Sequence, residues 1–178
     1  MEMKEKKIDS NLIYDGKILK LVNDKVKCPN GNEAYREIVK HNGGAAVLVV
    51  TEDKKILLIK QYRYAYDEII YEIPAGKLEK NEDPYVAAKR ELEEETGNVA
   101  DTLEPLGIIY PTCGYSNEKI YLYLALNIKP GKMNLDEDEV IESVYLYLSE
   151  VKKLILNNEI KDAKTICAIS NYLLKYEK

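Results

Sequence analysis

Apolar and polar residues alternate along residues 8–40, in the runs NLIYDGKILKLVNDKVKC and EAYREIVKH. Alternation with a period of two is typical of strands that bury one face only. The sequence Pro-Asn-Gly at Pro29–Gly31 separates the two runs and favours a turn. The pattern therefore predicts a small N-terminal unit of two or three antiparallel strands, which we assign to residues 1–41.

The pattern changes in residues 42–178, which we expect to form a second domain. The run from Ala45 to Val50 is apolar at every position, as in a strand that is covered on both faces. A turn at Glu52–Lys55 leads into the next strand, and three later runs also predict strands: LEPLGIIYP, KIYLYLALNI and SVYLYL. Because helical segments are interspersed with these strands, we expect an α/β fold with helices against the faces of a mixed sheet.

The predicted helices are recognised by their ends. An Asp-Pro pair at residues 83–84 is typical of a helix start and Gly97 of a helix end, so Pro84–Thr96 is predicted to be helical, entered by a loop over residues 76–82. Ser149 begins a short helix, and Asp162 caps a final one, AKTICAISNYLLKYE.

Composition excludes several classes of function. A net charge of −5 argues against a nucleic-acid partner, since phosphate backbones require a basic surface. No apolar run approaches the roughly 18 residues of a membrane helix, and the N-terminus lacks the apolar core of a signal peptide. We therefore expect a cytoplasmic protein with no membrane partner. Three widely spaced cysteines predict neither a disulfide framework nor a metal site.

Four glutamates crowd the end of the first predicted helix: Glu91, Glu93, Glu94 and Glu95. Side chains four residues apart share one helix face, with Cβ atoms about 5–6 Å apart, so Glu91 and Glu95 lie together with Glu94 at the edge of that face. Their repulsion is relieved if a hard divalent cation binds there, and Mg²⁺ prefers oxygen ligands. The alternative is an acidic helix face in contact with solvent, which is common in proteins.

The spacing of these residues resembles the signature of the Nudix hydrolases. Gly76 is followed by five residues and Glu82, then by seven residues and Arg90-Glu91, and the signature continues through Leu92, Glu94, Glu95 and Gly97. Seven specified residues at typical usage would coincide by chance on the order of 10⁻⁸ per starting position. One position departs, because Asn98 occupies a place where the family has an apolar residue.

This resemblance implies an α/β/α sandwich around a mixed sheet and hydrolysis of a nucleoside diphosphate linked to another moiety. It also implies that Glu91 and Glu95 are the main metal ligands, with Glu94 and the carbonyl oxygen of Ala75 as further ligands. Arg90 is implied to tie the helix to its loop, and we count it with Glu94 among the catalytic residues. Two or three Mg²⁺ or Mn²⁺ ions per site are expected, which would neutralise the pyrophosphate and position a water.

Further stretches are similar to the ADP-ribose pyrophosphatase branch of this family: YREIVKHNGGAAVL, IKQYRY, YEIPAGKLE, CGYSNE and DEDEVIE. The resemblance implies Mg²⁺-dependent hydrolysis of ADP-ribose to AMP and ribose 5-phosphate by a homodimer that exchanges its N-terminal strands. Cys113 departs from the proline that this branch usually has. The alternatives are another nucleotide sugar, an oxidised nucleotide as substrate, or a non-catalytic nucleotide-sugar sensor. The sensor is disfavoured because every glutamate of the signature is present.

The same resemblance assigns the substrate-binding residues. Arg36 and Arg63 match arginines that hold the phosphates or the ribose, and guanidinium groups suit phosphate oxygens. Either arginine could instead pair with a glutamate at a strand edge, such as Glu37 or Glu68. Glu118, in the loop that contains Gly114, resembles the residue that holds the terminal ribose hydroxyls.

The acidic loop NLDEDEVIE carries the last two predicted residues. By resemblance, Glu137 is the general base and Glu139 a metal-associated carboxylate. The alternative is a solvated acidic loop with no role in catalysis. Periodicity cannot choose between neighbouring carboxylates, so the order of these two roles rests on the resemblance alone.

Overall fold

The computed structural model of the chain describes residues 2–177, which fall into two units. One unit contains residues 2–43 together with Tyr110–Lys119, and the other contains Gly44–Ile109 and residues 120–177. The sequence predicts a boundary between residues 41 and 42 and a single domain for residues 42–178. The structure differs in the segment Tyr110–Lys119, which belongs with the N-terminal strands.

The first unit is built on a three-stranded antiparallel sheet with strands β1 (Lys6–Asp15), β2 (Lys20–Lys27) and β3 (Glu33–Lys40), in that spatial order. The predicted turn between the second and third strands is confirmed, and Gly31 in it has a φ of 90°. The backbone of Val39 bonds to the segment Tyr110–Lys119, donating to Tyr115 at 2.8 Å and accepting from Asn117 at 3.1 Å. Asn117 Oδ1 also accepts a hydrogen bond of 2.8 Å from the N–H of His41, and these bonds join the segment to this unit.

The second unit contains a seven-stranded sheet and a separate two-stranded ribbon. Its strands are β4 (Gly44–Val50), β5 (Lys55–Arg63), β6 (Glu68–Glu72), β7 (Ala75–Lys77), β8 (Asn98–Ala100), β9 (Glu104–Ile109), β10 (Ile120–Ala125), β11 (Ile128–Pro130) and β12 (Ile141–Tyr147). The main order is β12-β5-β4-β10-β9, with β6 on β5 and β7 on β4, while β8 and β11 form the ribbon. Since β10 is parallel to β4 and the other pairs are antiparallel, the sheet is mixed, as predicted.

Three helices cover this sheet: α1 (Pro84–Thr96), α2 (Leu148–Leu156) and α3 (Ala163–Tyr176). Helix α1 packs with Val47 and other buried residues on one face, and α2 and α3 pack with Leu48 and its neighbours on the other face. Every residue of β4 is buried between these two layers, and burial of each large apolar side chain contributes about 1.5–3 kcal/mol. The predicted α/β/α sandwich with a small N-terminal antiparallel sheet is therefore confirmed.

The bounds of α1 are those predicted. Asp83 accepts hydrogen bonds from the first-turn N–H groups, and Gly97 ends the helix with a φ of 65°. Two predictions were wrong in detail: α2 begins at Leu148 rather than at Ser149, and the predicted loop from residue 76 begins inside strand β7. Pairing of β7 with β4 is a tertiary contact that the local pattern does not reveal. No helix in residues 2–177 is long and apolar enough to cross a bilayer.

Candidate active site

Arg90 gathers the carboxylates at the end of α1 with the loop before the helix. Its Nη1 donates to Glu91 Oε1 and to Glu94 Oε2, each at 2.8 Å. Its Nε and Nη2 donate to the two carboxylate oxygens of Glu82 at 3.0 and 3.1 Å. These bonds, those to Glu82 first, raise the pKa of Arg90. A single guanidinium thus faces three carboxylates and fixes the loop against the helix.

Glu95 is the most buried carboxylate of this group, with 3% of its surface exposed. Its Oε2 accepts a hydrogen bond of 2.8 Å from the N–H of Ala75, whose position is fixed by the pairing of β7 with β4. The pKa of Glu95 rises to about 8, chiefly because of burial. The N–H of Ala75 and the charge of Lys164 lower this pKa, while the charges of Glu91 and Glu139 raise it. The carboxylate therefore lies where its negative charge is poorly solvated.

Gly76 gives Glu91 the room it occupies. A Cβ atom at residue 76 would lie 2.0 Å from the carboxyl carbon of Glu91, which is far inside contact distance. Burial raises the pKa of Glu91, while Arg90 opposes this effect and the charges of Glu94 and Glu139 add to it. Because Gly76 has no side chain, the partly buried carboxylate of Glu91 lies directly against β7.

The donor set fits a hard divalent cation. The groups are carboxylates and a peptide carbonyl, they carry more negative charge than Arg90 can neutralise, and Gly76 keeps space beside them. Within residues 2–177, no three Asp, Glu, His or Cys side chains are oriented as a finished metal cluster. In this arrangement Arg90 bonds to Oε1 of Glu91 and Oε2 of Glu94, so the other oxygen of each carboxylate is not bonded to Arg90.

The acidic loop separates its two predicted residues. Glu139 is partly buried, donates its N–H to Asp136 at 3.0 Å, and its charge acts on both Glu91 and Glu95. Glu137 is exposed, and no hydrogen bond or ion pair joins its side chain to another residue between positions 2 and 177. The structure therefore brings Glu139 into the electrostatic environment of the helix glutamates and leaves Glu137 outside it.

Arg63, at the end of β5, is held by a carboxylate that the sequence analysis missed. Its Nε and Nη2 donate to the two oxygens of Glu72 at 2.5 and 2.7 Å, and Lys164 contacts the same carboxylate. Glu68, the partner considered from the sequence, pairs instead with Lys161 at 2.7 Å. The missed signal was a single glutamate in the apolar run IIYEIP, because a buried charge requires a partner.

The other predicted substrate residues lie in the first unit. Arg36 donates to Glu5 at 3.1 and 2.5 Å from Nε and Nη2. A carboxylate oxygen of Glu118 lies 3.4 Å from His41 Nδ1. Gly114 is in open space, since an added Cβ would meet no atom within 4 Å. Their roles toward a substrate stay predictions.

Comparison with known proteins establishes the family. The model of the NUDIX domain matches residues 40–169, so the chain belongs to this family, whose members generally need a divalent metal ion. The chain is 43% identical over 175 residues to the ADP-ribose pyrophosphatase of Bacillus subtilis (strain 168), covering 97% of this chain and 95% of the relative. It is 44% identical over 167 residues to the methanol dehydrogenase activator of Bacillus methanolicus, covering 93% and 90%.

A solved structure described as an ADP compounds hydrolase superposes with a TM-score of 0.83 at 22% identity, covering 96% of this chain and 95% of that one. At that identity the superposition supports the fold alone. The family and the fold predicted from the sequence are both confirmed, and so is the similarity to ADP-ribose pyrophosphatases.

Proposed function

We propose that this chain hydrolyses the pyrophosphate bond of ADP-ribose, giving AMP and ribose 5-phosphate, with Mg²⁺ as its metal. The observation that carries the proposal is the 43% identity with the B. subtilis ADP-ribose pyrophosphatase across nearly the whole of both chains. The intact signature supports it, because Glu91, Glu94 and Glu95 lie in the C-terminal half of α1. Arg90 of the same helix pairs with Glu91, Glu94 and Glu82, the last from the preceding loop.

The carboxylates at the end of α1 and in the acidic loop have different proposed roles in metal binding. Glu91 and Glu95 hold the metal, assisted by Glu94, Glu139 and the carbonyl oxygen of Ala75, and two or three Mg²⁺ or Mn²⁺ ions are expected. When bound, the ions neutralise the pyrophosphate and make a bound water more acidic. Arg90 would hold the loop against the helix while Glu91, Glu94 and Glu95 bind the ions.

The remaining residues act on water and substrate. Glu137 takes the proton of the attacking water, which requires an approach to about 2.6–3.2 Å in the substrate complex. Its exposed loop position leaves the side chain free to move toward the site. Arg63 offers its Nη1 to a phosphate oxygen. Arg36, Glu118 and Gly114 are each expected to affect substrate binding when substituted.

A substrate panel tests this function. ADP-ribose, GDP-mannose, NADH and nucleoside triphosphates are compared with Mg²⁺ by phosphate release after phosphatase coupling. We expect ADP-ribose to give the highest kcat/KM, with AMP and ribose 5-phosphate in equal amounts by ³¹P NMR. A kcat/KM tenfold higher for another compound would show that ADP-ribose is not the preferred substrate. Tight binding of ADP-ribose without turnover would indicate a sensor.

A second candidate is activation of a methanol dehydrogenase, favoured by the 44% identity with the B. methanolicus activator. The test adds the chain, and separately its Glu95→Gln variant, to a methanol dehydrogenase and measures methanol oxidation. If the parent stimulates methanol oxidation and Glu95→Gln does not, the activation requires the same carboxylate that is proposed to bind the metal. Stimulation by neither leaves hydrolysis as the function.

We also propose a homodimer formed through the N-terminal strands. All ten residues of β1 are exposed, and within residues 2–177 this strand pairs only with β2, so its outer edge is open. Four of its large apolar side chains are about half exposed: Ile8 at 49%, Leu12 at 51%, Ile13 at 54% and Tyr14 at 58%. Light scattering should give twice the chain mass at micromolar concentration. A stable monomer there would refute the dimer.

A further inference from the structure

Four alternating charges connect Arg63 to the start of α3. Glu72 is 2% exposed and accepts two hydrogen bonds from Arg63. Lys164, in the first turn of α3 with 11% of its side chain exposed, contacts the same carboxylate. Lys164 also donates to Asp162, the N-cap residue of the helix, at 3.1 Å. The row therefore carries no net charge, which allows its central carboxylate to be buried.

The same turn of α3 also forms a hydrogen bond with the backbone that follows Glu72. The N–H of Ile73 donates to Thr165 Oγ1 at 2.8 Å, and this hydroxyl donates to Asp162 at 2.6 Å. Two residues further on, the N–H of Ala75 donates to Glu95. The segment from Glu72 to Ala75 is thus held by α3 at one end and by the candidate metal ligand at the other.

This anchoring determines which edge of Arg63 is free. Its Nε and Nη2 are used by Glu72, whereas Nη1 has no hydrogen-bond partner in the part of the chain that the structure describes. The side chain is 39% exposed. A guanidinium that is fixed along one edge presents its other N–H groups in a plane that suits phosphate oxygens.

We propose that Lys164 and Glu72 are positioning residues, which hold Arg63 with its Nη1 directed toward a phosphate of the substrate. The ammonium group of Lys164 fixes the Glu72 carboxylate to α3, and without it the carboxylate is restrained by Arg63 alone and can follow that side chain toward solvent. The consequence for catalysis rests on the proposed hydrolysis of ADP-ribose, while the positioning itself does not.

Steady-state kinetics test the consequence. Lys164→Met should raise KM for ADP-ribose about tenfold and leave kcat within about threefold, as expected when uniform binding is lost. Lys164→Arg, which keeps the charge, should restore KM to within about threefold of the parent. The matched control is Lys161→Met, because Lys161 precedes the same helix and pairs with β6 through Glu68, but at an exposed position. It should change neither constant.

Solvent exchange of the Arg63 Nε–H, measured by ¹⁵N NMR and assigned with Arg63→Lys, tests the positioning without any turnover. Exchange should be at least fivefold faster in Lys164→Met than in the parent and unchanged in Lys161→Met. If Lys164→Met does not fold, Lys164→Gln replaces it with the same expected direction. Unchanged exchange overturns the positioning, and so does a rise in KM that the Lys161 control reproduces. A parent without ADP-ribose hydrolysis refutes the proposed function only.

Discussion

Replacing Gly76 with alanine should move one carboxylate and little else. The new Cβ would lie 2.0 Å from the carboxyl carbon of Glu91, and ordinary contact requires about 3.5 Å, so the carboxylate has to retreat by roughly 1.5 Å. The φ of Gly76 lies outside the left-handed range, so alanine fits the backbone. Because the obstructing atoms end a flexible side chain, the strand itself has no reason to shift.

The expected cost therefore falls on metal binding rather than on folding. Mg²⁺ requires near-ideal octahedral geometry with oxygen ligands at about 2.0–2.1 Å, and a displacement of about 1.5 Å is far beyond that tolerance. Loss of supporting contacts around metal ligands typically weakens affinity by about 10–100-fold. We expect the Mg²⁺ concentration for half-maximal rate to rise by at least this factor. Stability should change by less than about 1 kcal/mol, since Gly→Ala also restricts the unfolded chain.

The assay is a Mg²⁺ titration of ADP-ribose hydrolysis, with thermal unfolding in EDTA as the measure of stability. A double-mutant cycle with Glu91→Gln shows whether the glycine acts through that residue. If it does, Gly76→Ala should add less than about threefold to the effect of Glu91→Gln alone. A half-saturating Mg²⁺ concentration within twofold of the parent, at unchanged kcat, would refute the reasoning.

Three further predictions concern other carboxylates. Glu95→Gln removes a charge with almost no change of shape, so turnover should fall more than 100-fold with an unchanged circular dichroism spectrum, and activity within tenfold of the parent would remove Glu95 from the metal site. Glu137→Gln should lower kcat by about 10²–10⁴ with KM little altered, whereas Glu139→Gln should raise the Mg²⁺ concentration needed for half-maximal rate. If Mg²⁺ titrations of both variants match the parent, the general base is another residue. Burial acts to raise the pKa of Glu72, but its two cationic partners outweigh burial and hold that pKa below 4.5. The charged form of Glu72 therefore stabilises the fold above about pH 4.5, and this contribution is lost as the pH falls through the lower pKa of the folded state. In Glu72→Gln, the free energy of unfolding in urea should not show this loss at acidic pH.

The parts of the structure that could be predicted from the sequence depend on local chemistry. A cap residue, a proline at the first helical position and a glycine at the end define α1 without reference to the rest of the chain. The uninterrupted apolar run of β4 indicates a strand covered on both faces, and every residue of it is buried. The spacing of Glu91 and Glu95 likewise follows from helix geometry alone.

The parts that could not be predicted depend on partners distant in sequence. Glu72 and Lys164 are separated by 92 residues, so no local pattern links a strand glutamate to a helix lysine. Strand β7 exists because it pairs with β4, and its residues otherwise have the composition of a loop. The segment Tyr110–Lys119 joins the N-terminal strands through backbone bonds to Val39 and side-chain contacts with His41, and these partners are far apart in the sequence.

Two buried glutamates in this chain show how surroundings shift the pKa of a carboxylate in opposite directions. Glu72 has two cationic partners, so its charged form is favoured and its pKa is lowered despite burial. Glu95 is as buried, but its hydrogen-bond partner is one backbone N–H and Lys164 acts on it through charge alone, so burial and the neighbouring carboxylates raise its pKa to about 8. Within residues 2–177 no cationic side chain forms a hydrogen bond with Glu95, which supports the proposed divalent ion there, since perturbed carboxylates of this kind cluster at functional sites.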